Sequence, residues 1–380
     1  MIIFLFDMDG VLLKARGYRR ALSETITIIG QALGYSNAGL TQEDMDVFDS
    51  VGVTSEWESS AICNALMLKE LWALYPDATL PKQPPFLESP KHDLKLPDFQ
   101  AFFLSPAMSQ LPAQPIRLRA SKALLPDNHG FSERQAEYIQ TLLDEAHQIH
   151  NSITHRIFQE LVLGSQFFKA YYDLEPSFHA EGYLQTEDIP SLHREMHEAL
   201  VSWLRHPDHY VAVFTLRPSQ PPGESFDTPE AEMGLQVVDL EGLPVVGHGS
   251  FVWLSEKSDV EVEELIKPSP MHVLAAMRHA LGDPLEEALL GSAELVLQGK
   301  TDSIWRALDG ADVYTFEDSV TGFQSARSAE SVLSEMGIHF NLRLMGISHS
   351  QTKRVALERA GATQVFEDLN QALAEVFKAD

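Results

Sequence analysis

The chain has 380 residues, of which 44% are hydrophobic and 22% are charged, and these proportions predict a globular protein of about two domains. The formal net charge is −27, which disfavours extended nucleic-acid binding. A phosphorylated small molecule is compatible with that charge if a metal ion or a buried lysine supplies local positive charge. The single cysteine, Cys63, excludes an intramolecular disulfide framework, and its apolar neighbours indicate a core position.

The chain begins with an apolar run that ends at Asp7. This run has no basic residues before it and is too short for a signal peptide or a membrane span. The rest of the sequence contains no stretch of about 18 apolar residues. We therefore expect a cytoplasmic protein that binds neither a membrane nor nucleic acid.

Short apolar runs predict the buried strands of a parallel sheet. They cover residues 2–6, 211–214, 313–316, 342–347 and 364–366. Helical periodicity occurs between the later runs, at residues 271–281, 322–336 and 352–360. Alternating strands and helices predict a doubly wound α/β domain, in which ligands bind at the carboxyl ends of the strands.

The middle of the chain has a different pattern. Helices are predicted over residues 18–33, 42–49, 56–74, 133–168 and 189–204, and strand signals are scarce. Residues 76–126 hold ten of the 21 prolines, which predicts an irregular excursion in place of a long helix. The sequence thus predicts a discontinuous core of residues 1–15 and 205–380, interrupted by a mainly helical insert over residues 16–204.

Polar residues that could perform chemistry follow the predicted strands. Asp7 and Asp9 come after the first strand and point the same way on an extended backbone, so one can act as a nucleophile and the other as an acid or base. Thr215 follows the next core strand and offers a hydroxyl group to a phosphate oxygen. Lys267 precedes a helix and could bind both a phosphate and a carboxylate. Taken singly, each also fits an ordinary structural or solvated position.

Two adjacent acids, Glu317 and Asp318, follow the strand at residues 313–316. Carboxylates at the end of a buried strand are costly unless they bind a cation. Oxygen ligands near a phosphate favour Mg²⁺, although an exposed acidic turn is the alternative interpretation of the pair alone. The four polar positions together are far more specific than any one of them.

At these four positions the sequence resembles the haloacid dehalogenase-like hydrolase superfamily. The segments around Asp7, Thr215 and Lys267 look like its first three motifs, and residues 316–322 look like the fourth. The resemblance covers about half of the chain and implies a Rossmann-like α/β core. An insert after the first motif resembles the helical cap of phosphatases and sugar phosphomutases, although this insert is far longer than the usual cap.

The resemblance also implies a mechanism. Asp7 would attack the phosphorus and form an aspartyl-phosphate, and Asp9 would protonate the leaving oxygen and then activate water. Thr215 and Lys267 would bind the transferring phosphoryl group. The implied Mg²⁺ ligands are Asp7, the backbone carbonyl of Asp9, Asp318 and Glu317. Members of the superfamily that cleave carbon–halogen bonds typically lack an aspartate at the second position, so Asp9 favours phosphoryl chemistry.

Candidate substrate contacts lie in the insert. Glu56 and Trp57 follow a glycine turn that resembles a specificity segment in some phosphatases of the superfamily. The structural alternative is a helix start in which Ser55 and Glu58 form a capping box. Arg16 could touch an anionic substrate, or it could be an exposed residue at the start of a helix.

The predicted function is an Mg²⁺-dependent phosphomonoester phosphatase that acts on a small phosphorylated metabolite. A sugar-phosphate phosphomutase with the same core is the alternative among enzymes. A non-catalytic phospho-ligand sensor or scaffold is the alternative of another class. The sequence does not identify the substrate.

Overall fold

The computed structural model describes residues 1–53, 55–78, 94–109, 114–126 and 130–379. The chain forms two compact units. Unit 1 consists of Met1–Ala15 and Asp188–Asp380, and unit 2 consists of Arg16–Glu187. The chain thus re-enters unit 1 at Asp188, earlier than the boundary at residue 205 that the sequence predicts.

Unit 1 is built on a parallel sheet. The strands are β1 (Ile2–Phe6), β2 (Leu13–Lys14), β3 (Ile189–Pro190), β4 (His209–Phe214), β5 (Val245–Val246), β6 (Asp312–Glu317), β7 (Asn341–Ile347) and β8 (Gln364–Phe366). Among the described residues, six of them form one sheet in the order β5-β4-β1-β6-β7-β8, and all its neighbouring strands are parallel. Strands β2 and β3 form a separate antiparallel pair. The predicted α/β fold with a parallel sheet and a helical insert after the first strand is therefore confirmed.

Strand β1 lies at the centre of the sheet and is buried on both faces. Ile3 and Leu5 belong to one apolar cluster, whereas Phe4 and Phe6 belong to the cluster on the other face, as the two-residue period of a strand requires. The register aligns Phe6 with Val213 near the end of β4 and with Phe316 near the end of β6. Polar residues that follow β1, β4 and β6 are therefore brought to the same edge of the sheet.

Unit 2 is mainly helical in its described part. Its helices are α1 (Gly17–Leu33), α2 (Gln42–Ser50), α3 (Glu56–Leu74), α4 (Phe99–Phe103), α5 (Pro106–Ser109), α6 (Ile116–Leu124), α7 (Glu133–Asp144), α8 (Ile153–Leu163), α9 (Ser165–Tyr172) and α10 (Tyr183–Thr186). Helices α1, α3 and α8 pack against one another. Cys63 is buried on α3, as predicted.

One prediction for the insert differs from the structure in detail. The single helix predicted over residues 133–168 is divided into α7, α8 and the start of α9. Ser152 caps α8 by accepting a hydrogen bond from the backbone N–H of His155, and Gly164 ends it with a φ of 78°. The proline-rich residues 76–126 contain only the short helices α4, α5 and α6 in their described part, while residues 79–93 and 110–113 lie outside the described residues.

The helices of unit 1 flank its sheet. They are α11 (Arg194–Trp203), α12 (Glu230–Val237), α13 (His248–Ser258), α14 (Val262–Leu265), α15 (Pro270–Ala280), α16 (Leu285–Gln298), α17 (Ser303–Ala307), α18 (Val320–Glu335), α19 (Gln351–Arg359) and α20 (Leu369–Ala379). The helix predicted over residues 189–204 begins only at Arg194. Pro190 disfavours a helical conformation at Ile189, and both residues form β3 instead. Leu200 of α11 packs in the same apolar cluster as Phe4, so this helix belongs to the core. No helix in the described ranges is long and apolar enough to cross a membrane.

Candidate active site

Asp7 is the first residue after β1, and it is buried. Its backbone N–H donates a hydrogen bond of 2.9 Å to the carbonyl oxygen of Phe316, which continues the pairing of β1 with β6. Its Oδ1 atom lies 2.7 Å from Nζ of Lys267, and the same Nζ lies 2.9 Å from Oε2 of Glu317. Lys267 is buried, and its Nζ also lies 4.0 Å from the ring centroid of Phe214. One buried ammonium group therefore bridges two buried carboxylates.

The charges of this cluster do not balance. Burial raises the pKa of the Asp7 carboxyl well above its usual range, the Glu317 carboxylate raises it further, and Lys267 acts in the opposite direction. Burial also raises the pKa of Glu317. Burial alone would lower the pKa of Lys267, but the two carboxylates raise it above its ordinary value. A further positive charge beside the carboxylates would lower the energy of their ionised forms.

The residues that could hold a metal ion are Asp7, Glu317 and Asp318. Each offers a carboxylate oxygen, and these oxygens lie within 4.8 Å of one another. An oxygen-only donor set with surplus negative charge matches the preference of a hard divalent cation. Lys353 also contacts the cluster, since its Nζ lies 2.8 Å from Oδ2 of Asp318. The three carboxylates fit the cation that the sequence predicts.

The start of α18 fixes Glu317. Ser319 caps this helix by accepting a hydrogen bond of 3.1 Å from the backbone N–H of Gly322. The backbone N–H of Ser319 donates a hydrogen bond of 3.0 Å to Oε1 of Glu317. A Cβ atom on Gly322 would lie 2.1 Å from Cδ of Glu317, so only glycine leaves room for the carboxylate. The helix cap and the candidate metal ligand therefore share one local structure.

Thr215 is buried directly after β4. Its backbone N–H donates a hydrogen bond of 3.0 Å to the carbonyl oxygen of Val246 on β5. Its Oγ1 atom accepts a hydrogen bond of 3.2 Å from the backbone N–H of Arg217. Residues from three of the predicted motifs thus lie at the ends of β1, β4 and β6, and Lys267 of the remaining motif contacts Asp7.

Asp9 has a different environment from Asp7. It precedes Gly10, which has a φ of 82°. A Cβ atom added to Gly10 would lie 2.5 Å from Oδ2 of Asp318. The Asp9 carboxylate accepts hydrogen bonds of 2.9 and 3.0 Å from Nε of Arg217. Nη2 of the same arginine lies 2.8 Å from Oδ2 of Asp188. The predicted acid/base is thus bound to an arginine that the sequence analysis did not single out.

Arg217, Asp188 and Lys353 were not predicted from the sequence. A signal existed for Arg217, which is two residues beyond Thr215 at the same strand end. Asp188 and Lys353 carry no such signal, because each meets its acidic or basic partner only through the tertiary fold.

The candidate substrate residues of the insert all lie in unit 2. Glu56 and Trp57 form the first turn of α3, whose N-cap Ser55 accepts a hydrogen bond of 3.4 Å from the backbone N–H of Glu58. The Trp57 ring packs on two histidines, with centroid distances of 5.2 Å to His147 and 4.7 Å to His155. Glu56 also lines a cavity of about 80 Å³ within unit 2. Arg16 is the N-cap residue of α1.

A solved structure with a TM-score above 0.5 covers the whole chain. It is an X-ray structure of a Northeast Structural Genomics Consortium target, with a TM-score of 0.65 and 16% sequence identity over 100% of this chain and 99% of that chain. The parallel sheet and the insert after β1 are those that the resemblance implies. This likeness shows that the two chains share a fold.

Two further solved structures are less similar to this chain. The phosphatase Tt82 from Thermococcus thioreducens has a TM-score of 0.46 and 13% identity over 100% of both chains. A hydrolase from Pseudomonas syringae has a TM-score of 0.35 and 14% identity over 100% of this chain and 99% of that chain. Likenesses this low carry no functional argument. No protein-family model and no curated protein matches the sequence.

Proposed function

We propose that this protein is an Mg²⁺-dependent phosphomonoester phosphatase that acts on a small phosphorylated metabolite through an aspartyl-phosphate on Asp7. The observation that carries the proposal is the buried contact of Lys267 with both Asp7 and Glu317, beside Asp318. This arrangement pairs a carboxylate nucleophile with a fixed positive charge and a donor set for a hard cation. Phosphoryl transfer depends mainly on such positioning and charge neutralisation.

In the first step, an oxygen of Asp7 forms a bond to phosphorus as the bond between phosphorus and the leaving oxygen breaks. Lys267 orients the Asp7 carboxylate and, with the Thr215 hydroxyl, binds the phosphoryl oxygens. Asp9 gives its proton to the leaving oxygen, which departs as an alcohol. In the second step, a water oxygen bonds to phosphorus, the bond from phosphorus to Asp7 breaks, and Asp9 takes the proton of the water.

The proposed metal ligands are the carboxylates of Asp7, Asp318 and Glu317 and the backbone carbonyl of Asp9. Mg²⁺ bound there offsets the negative charge of the transferring phosphoryl group. We keep Glu56, Trp57 and Arg16 of unit 2 as proposed substrate contacts, and a small metabolite as the proposed partner in place of nucleic acid or a membrane. The net charge of −27 supports that choice of partner.

The test is phosphate release by the purified protein with Mg²⁺, first from p-nitrophenyl phosphate and then from a panel of phosphorylated metabolites. We expect turnover by the wild type and none by Asp7→Asn. Interconversion of sugar phosphates without phosphate release would replace the phosphatase by a phosphomutase. Binding of phosphorylated ligands without any turnover would replace it by a non-catalytic sensor.

A further inference from the structure

We infer that Arg217, anchored by Asp188, is a positioning residue that holds the acid/base Asp9 in place; the inference rests on the proposed phosphatase function. The three side chains form a continuous chain of hydrogen-bonded charges within unit 1. Nothing in the motif pattern requires an arginine or a second aspartate here. The candidate site thus contains two charged residues, Arg217 and Asp188, in addition to those of the four motifs.

The contact between Arg217 and Asp9 uses both oxygens of the carboxylate. Nε of Arg217 lies 2.9 Å from Oδ1 and 3.0 Å from Oδ2, and Nη2 also binds Oδ1 at 2.5 Å. A planar guanidinium group that grips both oxygens fixes the plane of the carboxylate as well as its distance. The rotamer of Asp9 is therefore set by Arg217.

Burial distinguishes the anchor from the residue that it positions. The side chains of Arg217 and Asp188 are 1% and 0% exposed, whereas the Asp9 side chain is 37% exposed. A guanidinium group stays charged, and a buried charge requires a buried partner. Asp188 supplies that partner at 2.8 Å. Asp188 binds Nη2 of the arginine, and the same Nη2 together with Nε binds the more accessible Asp9.

The backbone of Arg217 is also fixed. Its N–H donates a hydrogen bond of 3.2 Å to Oγ1 of Thr215, and its carbonyl oxygen accepts one of 2.9 Å from the N–H of His248 at the start of α13. Asp9, by contrast, lies in the turn before Gly10. A rigid support matters here because a misplacement of about 1 Å at a reacting group can cost about 100-fold in rate. Arg217 thus transfers the rigidity of the sheet edge to the acid/base.

This role predicts an effect that depends on the leaving group. Phenyl phosphate and p-nitrophenyl phosphate have similar shapes, but phenolate is the more basic leaving group and depends more on a proton from Asp9. The ratio of their kcat/KM values therefore reports whether Asp9 is in place. A general loss of folded protein would lower both values equally and leave the ratio unchanged.

The experiment measures both kcat/KM values, with Mg²⁺ present, for the wild type, Asp9→Asn, Asp188→Asn, Arg217→Gln and Arg217→Lys. We expect Asp188→Asn and Arg217→Gln to lower kcat/KM for phenyl phosphate by about 10- to 100-fold and that for p-nitrophenyl phosphate by less than about threefold. Arg217→Lys should recover part of the loss. Asp188→Asn should add little to Asp9→Asn in the double variant, because it acts through Asp9.

Arg278 provides a matched control. It is another buried arginine of unit 1, and it binds two aspartates, with Nε 2.6 Å from Asp283 and Nη1 2.7 Å from Asp302. Arg278→Lys should lower the melting temperature and leave the ratio of the two kcat/KM values unchanged. If Asp188→Asn does not fold, Arg217→Lys and Arg217→Gln still give the ratio.

The outcomes separate this inference from the proposed function. Wild-type turnover together with an unchanged ratio in the Arg217 and Asp188 variants overturns the positioning role and leaves the phosphatase intact. Equal losses for both substrates assign the pair a structural role only. Absence of wild-type turnover on the whole panel overturns both proposals. A selective loss for phenyl phosphate, absent in Arg278→Lys, supports the inference.

Discussion

Lys267 binds Asp7 through a hydrogen bond of 2.7 Å in a buried environment. The same ammonium group binds Glu317, so its removal leaves two buried carboxylates without their shared partner. We expect Lys267→Met to lower the free energy of unfolding by about 3–5 kcal/mol, measured by urea denaturation without Mg²⁺. Lys300→Met, at an exposed lysine, is the control, with an expected change within about 0.5 kcal/mol. Equal effects of the two substitutions would contradict the structural role of Lys267.

The proposed metal site predicts a selective loss of Mg²⁺ binding in Asp318→Asn. Removal of one of the three carboxylates should weaken Mg²⁺ binding at least about tenfold, as measured by isothermal titration calorimetry. Chelation of Mg²⁺ should abolish turnover of the wild type. Lys353→Gln removes the ion pair with Asp318 but no carboxylate, so it should leave Mg²⁺ affinity at least as high as in the wild type. Unchanged affinity in Asp318→Asn would exclude this group as the metal site.

Gly322→Ala sets two effects against each other. Alanine favours a helix over glycine by about 1 kcal/mol, but its Cβ would lie 2.1 Å from Cδ of Glu317. Overpacking of this kind costs about 1–3 kcal/mol, so we expect net destabilisation and weaker Mg²⁺ binding as Glu317 moves. Thermal melting and calorimetry measure the two effects. Ser331→Ala, at an exposed position of α18, is the control, and a stabilising Gly322→Ala would show that Glu317 has room to move.

His155 predicts a dependence of stability on pH. Burial lowers its pKa in the folded state to about 3, whereas an unfolded histidine has a pKa of about 6.5. The unfolded state therefore binds the additional proton between these values, and the histidine costs stability as pH falls below about 6.5, by about 1.4 kcal/mol per pH unit. Between pH 7 and pH 5, the free energy of unfolding should therefore fall by about 2 kcal/mol less in His155→Gln than in the wild type.

Urea denaturation at pH 7 and pH 5, followed by a spectroscopic signal from unit 2, gives the free energies of unfolding that check this prediction for His155. Exposed His150, replaced in the same way, is the control and should leave the pH dependence of the wild type in place. Identical pH dependence in the wild type and His155→Gln would contradict the assignment of a buried, neutral histidine.

The main elements of the fold could be predicted because their sequence patterns are local. β1 and β8 have the predicted bounds, and α3 does as well, since each has a continuous apolar pattern with clear ends. Strands β2, β3 and β5 were missed because two residues are too few to show a period. The chain's early return to unit 1 depends on the packing of α11, which is a tertiary property.

The candidate site follows the same division between local and tertiary information. Asp7, Thr215 and Glu317 could be predicted because each lies at or directly after the end of a strand in one parallel sheet. The contact of Arg217 with Asp9 and Asp188 could not, since it joins residues 208 and 29 positions apart and depends on side-chain geometry. The positions of the proposed catalytic and phosphate-binding residues thus follow from sequence, whereas the inferred support of Asp9 follows from structure.

The most direct test of the account is chemical trapping of the phosphorylated enzyme. Protein turning over p-nitrophenyl phosphate with Mg²⁺ is quenched in acid and reduced with borohydride, which converts an aspartyl-phosphate to homoserine, and the modified position is found by peptide mass spectrometry. We predict homoserine at position 7 in the wild type and none without substrate or in Asp7→Asn. Turnover with an unmodified Asp7, modification of another carboxylate, or wild-type activity in Asp7→Asn would contradict the account.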